Sequence, residues 1–482
     1  MQFIPVIGLE VHARIKTKSK MFCRCNNDIF NAEPNTHVCS VCMGFPGMLP
    51  VVNEEAVKKG VKTALALNCT IPAFAKFDRK SYFYPDLPKG FQISQYDKPI
   101  SEKGSLSIVL KDGQTKRIRI TRLHLEDDAG KLTHDAGGTL VDFNRSGMPL
   151  MEIVSEPDLS SVEEASLYAR ALQKILRTVG SSDCDMEKGM MRFDINVNLK
   201  VKKDDGTETA TPISEVKNLN SFRSMEKAIA YEVKRQEEAF KKTGITIKDA
   251  PKTTLGWDDE KEISTIQREK EEAADYRYFP EPDIPPLTFT RGQVEALRKE
   301  LPELPDAKAE RYQKNFKLTP NDAMQLVEDP ALAAYFETVA RVSESPQKAS
   351  NWVISELLGR LNAEGKAIES CSLSAENLGK LVKLIGKNII SGKIAKDVFA
   401  AIYEKNLDPE PYIEKQGLKQ VSDIGELEKI CQQVLDRNPK ILEDFRAGKD
   451  RAFGALVGQV MAATKGQANP GVVNQILKKL IE

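Results

Sequence analysis

The segment IGLEVHARIK, residues 7 to 16, constrains this chain more than any other, because Leu9, Val11, Ala13 and Ile15 alternate strictly with Glu10, His12 and Arg14. A strand sends successive side chains to opposite faces, so this segment packs one face and gathers a carboxylate, an imidazole and a guanidinium on the other. TRLHLEDD repeats the design, opposing Leu123 and Leu125 to Arg122, His124 and Glu126. RFDINVNLK sets Phe193, Ile195, Val197 and Leu199 against Asp194, Asn196 and Asn198. LMEIVSEPD adds Glu152, and ISEVKNLN adds Glu215, Lys217 and Asn218. Antiparallel sheets commonly leave one face in water, so a solvated face accounts for this pattern as well as a site does.

Taken as a site, a face of Glu, His, Asp and Asn offers the hard oxygen and imidazole ligands that Mg²⁺ or Mn²⁺ favours. Arg145, Arg192 and Lys217 are placed to neutralise phosphate, which makes ATP with its metal the natural guest. No segment matches G-x-x-x-x-G-K-[ST] or G-x-G-x-x-G, so P-loop and Rossmann cradles are disfavoured.

Of eight cysteines, Cys23, Cys25, Cys39 and Cys42 stand together as C-x-C-x13-C-x2-C. Four thiolates suit a closed tetrahedral Zn²⁺ site with no open position, hence a structural one. His37 in the same loop reads as a surface residue. KFDRKSYFYPDLPKGFQISQYDKPI, residues 76 to 100, is either a turn-rich connection whose aromatics pack or a loop offering Lys80 and Tyr82 or Tyr84 to a substrate.

Strand-like alternation and helical stretches mix up to about residue 290, which predicts an α+β domain with a largely antiparallel sheet. FPEPDIPPL, residues 279 to 287, lacks the amide donors to continue either element, and helical periodicity dominates from about 293. Three domains are expected: 1–292, 293–407 and 408–482, the last two all-helical. Lys plus Arg and Asp plus Glu are both 70, so no global field attracts nucleic acid and any such partner is engaged locally. The tail offers a local excess in Arg451, Lys465, Lys478 and Lys479. With no basic leader and no window of ~20 apolar residues, a cytoplasmic protein without membrane contact is expected.

VIGLEVHARIKTKSKMF, FDRKSYFYPDLPKGFQISQYDKPI, TRLHLEDDAGK, DFNRSGMPLMEIVSEPD, EVKNLNSF, DYRYFPEPDIPPL and LVGQVMAATKGQANP resemble the B-subunit family of aspartyl/glutamyl-tRNA amidotransferases from the first strand to the tail. The resemblance implies a cradle similar in fold to the catalytic part of glutamine synthetase, then a helical domain, then a tail contacting tRNA. It implies ATP-dependent phosphorylation of the side-chain carboxylate of Glu or Asp mischarged on tRNA(Gln) or tRNA(Asn), followed by amidation. Ammonia would come from glutamine hydrolysed by an amidase (glutaminase) partner, and a small third partner would brace the pair in a heterotrimer. Glu10, His12, Glu126 and Glu152 match the family's metal-bearing and catalytic positions, Asp194 and Glu215 lie on matching segments, and the cysteine quartet matches zinc-binding members. Two alternatives stand beside this: a tRNA-binding scaffold without a catalytic face, and a free-standing ligase acting on a small carboxylate.

Overall fold

The computed structural model describes the chain apart from residues 136, 251, 269–275, 419–423, 447–449, 465, 466, 469 and 482. Nine strands form the main sheet: β1 (Gln2–Arg14), β2 (Ser101–Val109), β3 (Thr115–Asp127), β4 (Pro149–Ser155), β5 (Met191–Lys202), β6 (Glu208–Ala210), β7 (Ser214–Leu219), β8 (Thr253–Asp258) and β9 (Ile263–Arg268). Their order is β9-β8-β7-β5-β1-β4-β3-β2, with β6 pairing β5. Only β7 and β8 run parallel; the other pairings are antiparallel, so the unit is α+β as expected. β1 is central: β5 pairs along it from Gln2 to Ala13, and β4 pairs on its other side from Glu10 to Arg14.

The apolar set predicted from alternation is buried: Leu9, Val11, Ala13, Ile15, Leu123, Leu125, Phe193, Ile195 and Val197 share one core, and Leu199 is buried as well. Helices α1 (Glu54–Ala66), α2 (Val162–Val179) and α3 (Phe222–Thr243) contribute to it through Val61, Leu172 and Ile229, among others. Serine caps start the two longer helices: Ser161 accepts from the Glu164 amide and Ser221 from the Ser224 amide. Both stop at a glycine in the left-handed region, Gly180 at φ 71° and Gly244 at φ 68°, where other residues would be strained.

The opposite face of the sheet is not wet. His12, Glu126 and Glu152 are only 7, 2 and 8% exposed. A three-stranded sheet of Asp78–Ser81, Phe91–Ser94 and Phe279–Pro280 packs there, with Ser94 Oγ donating to Glu126 Oε2 at 3.2 Å and the Ile93 amide to Asp127 Oδ1 at 2.8 Å. A bidentate pair from Arg79 to Glu281, at 2.6 and 3.0 Å, fastens the third strand's segment to the first.

This unit runs from Met1 to Leu304 and a second from Pro305 to Glu482. Helical periodicity begins near 293, but α4 (Arg291–Lys299) and the residues after it stay with the first core, where Val294, Leu297, Leu301 and Leu304 pack. In the second unit Pro305, Pro320, Pro330, Pro346, Pro409, Pro439 and Pro470 each open a helix, the position where proline's missing amide costs nothing. Two separate apolar clusters form, one from Ala309 to Ile413 and one from Leu427 to Leu477. The helix Pro409–Gln416 belongs to the first of these, through Ile413. Among the described residues no helix is long and apolar enough to cross a membrane.

Tyr168 on α2 is fully buried, and its hydroxyl finds no hydrogen-bond partner among the described residues. An unsatisfied buried hydroxyl costs ~1–3 kcal/mol. Tyr168→Phe is therefore expected to raise stability by about 1 kcal/mol in urea melts, and a clear loss of stability would mean that the hydroxyl is bonded.

Candidate active site

The register across four strands turns separate sequence positions into one row. Arg192 of β5 lies opposite His12 of β1, His12 opposite Glu152 of β4, and Glu152 opposite His124 of β3. Residues directly opposite share a face, so the row reads Arg192, His12, Glu152, His124, with Glu126 two residues beyond His124. Glu152 Oε2 is 3.3 Å from both His12 Nε2 and His124 Nε2, and His124 Nε2 is 3.7 Å from Glu126 Oε2. Ligand atoms of His12, Glu126 and Glu152 all lie within 4.8 Å of one another.

Burial works against charge on both histidines, but Glu152 outweighs it, raising His12 and, with Glu126, lifting His124 to about 9. Burial alone would push the Glu152 carboxyl up; His124 and His12 instead hold it well below its usual range. One imidazole and two carboxylates this close fit a hard divalent cation, and the buried His12 Nδ1 has no partner among the described residues.

The other carboxylates predicted for this site divide. Glu10 sits one strand step away, accepts from Asn196 Nδ2 at 2.9 Å, and is raised by burial and then by Glu152. Asp194 and Glu215 are joined instead by Lys217, whose ammonium lies 3.1 Å from one and 2.8 Å from the other. Glu215 also pairs with Lys252 at 3.2 Å.

Beside the row, Asp128 collects three guanidiniums: Arg192 at 3.5 Å, and Arg14 and Arg145 at 3.6 Å. Arg145 is held further by the carbonyls of Ala129 and Gly130, at 2.9 and 2.6 Å. Burial is the main cause that lowers Arg14; Asp128 opposes it, and Arg145 and Arg192 add to it. Lys80 is half-buried near the carboxylates; desolvation opposes its charge, and Glu126 leads the groups that raise its pKa. Its ammonium is 4.9 Å from the Tyr276 ring and 5.9 Å from that of Tyr82, whereas Tyr84 is 56% exposed and apart from the row.

The four cysteines meet in one cluster, with their Sγ atoms all within 4.8 Å of one another. Cys39 and Cys42 are 3.9 Å apart at sulfur, close to the ~3.8 Å edge of a tetrahedron of Zn–S bonds. A hydrogen bond from Cys23, helped by the Cys39 amide and Lys20, draws Cys42 down to about 4. His37 is half-buried rather than a surface residue, its amide donating to Asn144 Oδ1 at 2.7 Å, and it lies outside the cluster.

A GatB/GatE catalytic-domain model matches residues 5–295, and a GatB domain model matches residues 334–481. The chain belongs to the GatB/GatE family. It is 48% identical over 484 residues to a protein of Carboxydothermus hydrogenoformans, covering 99% of this chain and 98% of that one. It is 49% identical over 483 residues to one of Persephonella marina, covering all of both. Each relative is named as the B subunit of an aspartyl/glutamyl-tRNA(Asn/Gln) amidotransferase.

His124, Asp128 and Tyr276 are brought to this candidate site by the fold without having stood out from the sequence as site residues. His124 carried a signal, since it shares Glu126's face. Asp128 follows the end of β3, and Tyr276 precedes the strand Phe279–Pro280, so no period marks them. In the GatB domain, Arg451, Lys478 and Lys479 are exposed on helices Asp450–Ala463 and Pro470–Ile481, while Lys465 lies outside the described residues.

His124's folded pKa, about 9, stands above its ordinary 6.5. The stability it contributes is therefore fully present below the ordinary value and lost as pH rises toward 9. In chelator-treated protein, urea midpoints should fall across that window. Glu152→Gln should flatten the fall; an unchanged slope would show that Glu152 does not hold the His124 proton.

Proposed function

We propose that this chain activates the side-chain carboxylate of Glu-tRNA(Gln) or Asp-tRNA(Asn) by ATP-dependent phosphorylation, after which ammonia from a glutaminase partner displaces phosphate to give the amide. The relatives' name supports the amidotransferase and tRNA parts of this reading. The observation that carries the chemistry is the buried set His12, Glu126 and Glu152 beside the cluster Arg14, Arg145 and Arg192.

A carboxylate is a poor electrophile and an acyl phosphate a good one, so the task is to bring two anions together out of water. Arg145 and Arg192, with Arg14, would offset phosphate charge from positions fixed by Asp128. Lys217 joins them where a phosphate oxygen replaces one of its two carboxylates. Lys80, steadied by Tyr82 and Tyr276, would orient the substrate carboxylate against its own repulsion from Glu126 and Glu152. His12, Glu126 and Glu152 would hold Mg²⁺, with Glu10 next to them and Asp194 and Glu215 farther out. When bound, Mg²⁺ offsets charge developing on the transferring phosphoryl group. Cys23, Cys25, Cys39 and Cys42 would hold a structural Zn²⁺. The amidase and the small third protein would dock as partners, Arg451, Lys465, Lys478 and Lys479 would touch tRNA, and the complex would work in the cytoplasm. A scaffold without chemistry of its own has no use for a buried, charge-coupled face.

Because these side chains are buried, shape-preserving variants are the proper test. Reconstituted complexes carrying Glu152→Gln or His12→Asn, supplied with free ammonia to bypass glutamine hydrolysis, should lose at least ~100-fold in amidation while still binding tRNA. Full amidation would remove both residues from the chemistry.

The tail is tested by deleting residues 424–482, which leaves the first helical cluster its Pro409–Gln416 helix. Phosphate contacts weaken with salt through counterion release, so the deletion should raise KM for charged tRNA and flatten its salt dependence. Unchanged affinity and slope would place tRNA binding elsewhere.

A further inference from the structure

Lys20 is the only lysine or arginine among the described residues that is fully buried, with 0% exposure. No carboxylate of the described residues lies within 4.0 Å of its ammonium. Its two polar neighbours are the Phe143 carbonyl at 3.5 Å and Cys42 Sγ at 3.8 Å. A buried ammonium without a counter-charge is costly, so a lysine kept here needs an anion.

The surroundings are built to hold it. The Lys20 amide donates to the Cys25 carbonyl at 3.0 Å, and Asn53 Nδ2 donates to the Lys20 carbonyl at 3.2 Å. Gly147, at φ +83°, faces both partners: a Cβ there would stand 3.2 Å from Cys42 Cβ and 3.7 Å from Lys20 Cδ. The lysine stem thus runs through a gap that a side chain at 147 would narrow, and its head ends on the thiolate cluster.

Four thiolates around one divalent cation keep an excess of negative charge, which a low-dielectric interior makes expensive. We propose that Lys20 is the built-in counter-cation of the cysteine quartet. It offsets that excess when metal is bound and, through the Phe143 carbonyl, ties the metal loop to the turn that carries Arg145. This assignment rests on the zinc reading of the quartet.

The full-length protein is tested with zinc itself as probe. Zinc content is measured first, then release to excess chelator and the dissociation constant, in wild type and Lys20→Met. The variant should bind zinc about 10- to 100-fold more weakly, the range seen when groups supporting metal ligands are removed. Lys20→Met should lower the melting point of the zinc-bound form more than that of the metal-stripped form, in which Lys20 faces the Cys42 sulfur alone; a lysine that merely packs would lower both forms alike. Equal zinc affinity, or equal destabilisation of both forms, overturns the assignment. If both stripped proteins are unfolded, release rates decide alone, and equal rates overturn it. Wild type with no zinc overturns the zinc reading and this assignment together, whereas one zinc in wild type with equal affinity in the variant overturns only the role of Lys20.

Discussion

The register of β1 between β5 and β4 is the constraint on which the rest of this cradle depends. With side chains alternating strictly, a one-residue slip would send Leu9, Val11 and Ala13 toward the charged side and Glu10 and His12 into the helices. That is prohibitive on both sides at once, so the apolar core and the charged row enforce the same register. The core contributes the free energy: each of those aliphatic side chains is wholly buried, worth ~1.5–3 kcal/mol for the larger ones. The charged row is the beneficiary, since its buried pairs return little net stability against desolvation. A fold that commits its best-defined strand to holding such a row is organised around what the row does.

Charge pairing along the row is graded. Glu152 is compensated by two imidazoles and Asp194 and Glu215 by lysines, whereas Glu10 makes no ion pair among the described residues, and burial and then Glu152 raise it despite Lys217 and the Asn196 amide. At the other end three guanidiniums share the single carboxylate Asp128. The face therefore runs from a carboxylate-rich pole suited to a cation toward a guanidinium-rich pole suited to an anion, within one strand spacing. A metal-bound polyphosphate presents that same sequence of charges.

What could be read in advance follows from how local each signal is. Period two exposes β1, β3 and β5 and their faces, because alternation is written within each segment. The cysteine quartet is legible because spacing alone implies a tetrahedral cluster. The order of strands is not written anywhere locally: β4 sits between β1 and β3, and only that non-sequential placement brings Glu152 between His12 and His124. The cover was invisible for the same reason. Residues 78 and 79 pair with residues 280 and 279 across a long stretch of chain, and residues 78–81 with 91–94, so a face that looks like a solvated one in the sequence is dry in the fold. Lys20 was unreadable because a lysine that follows the polar run Lys16–Ser19 carries no sign of burial.

The cysteine loop and the guanidinium cluster are mechanically one piece. Asn35 donates to the Val141 carbonyl and receives the Phe143 amide, while the Asn35 amide donates to Asp142. Asn144 donates to the Glu33 carbonyl and receives the His37 amide, and Ser146 Oγ donates to the Cys42 carbonyl. One turn, 141 to 147, is thus sewn along its length to the cysteine loop, and Arg145 projects from its middle. The Gly147 amide continues the chain of contacts by donating to the carbonyl of Asp128, the residue that gathers the three arginines. Whatever fixes the cysteine loop therefore fixes the guanidinium cluster. Through the turn 141–147 the cysteine loop can thus govern where the three guanidiniums around Asp128 are held.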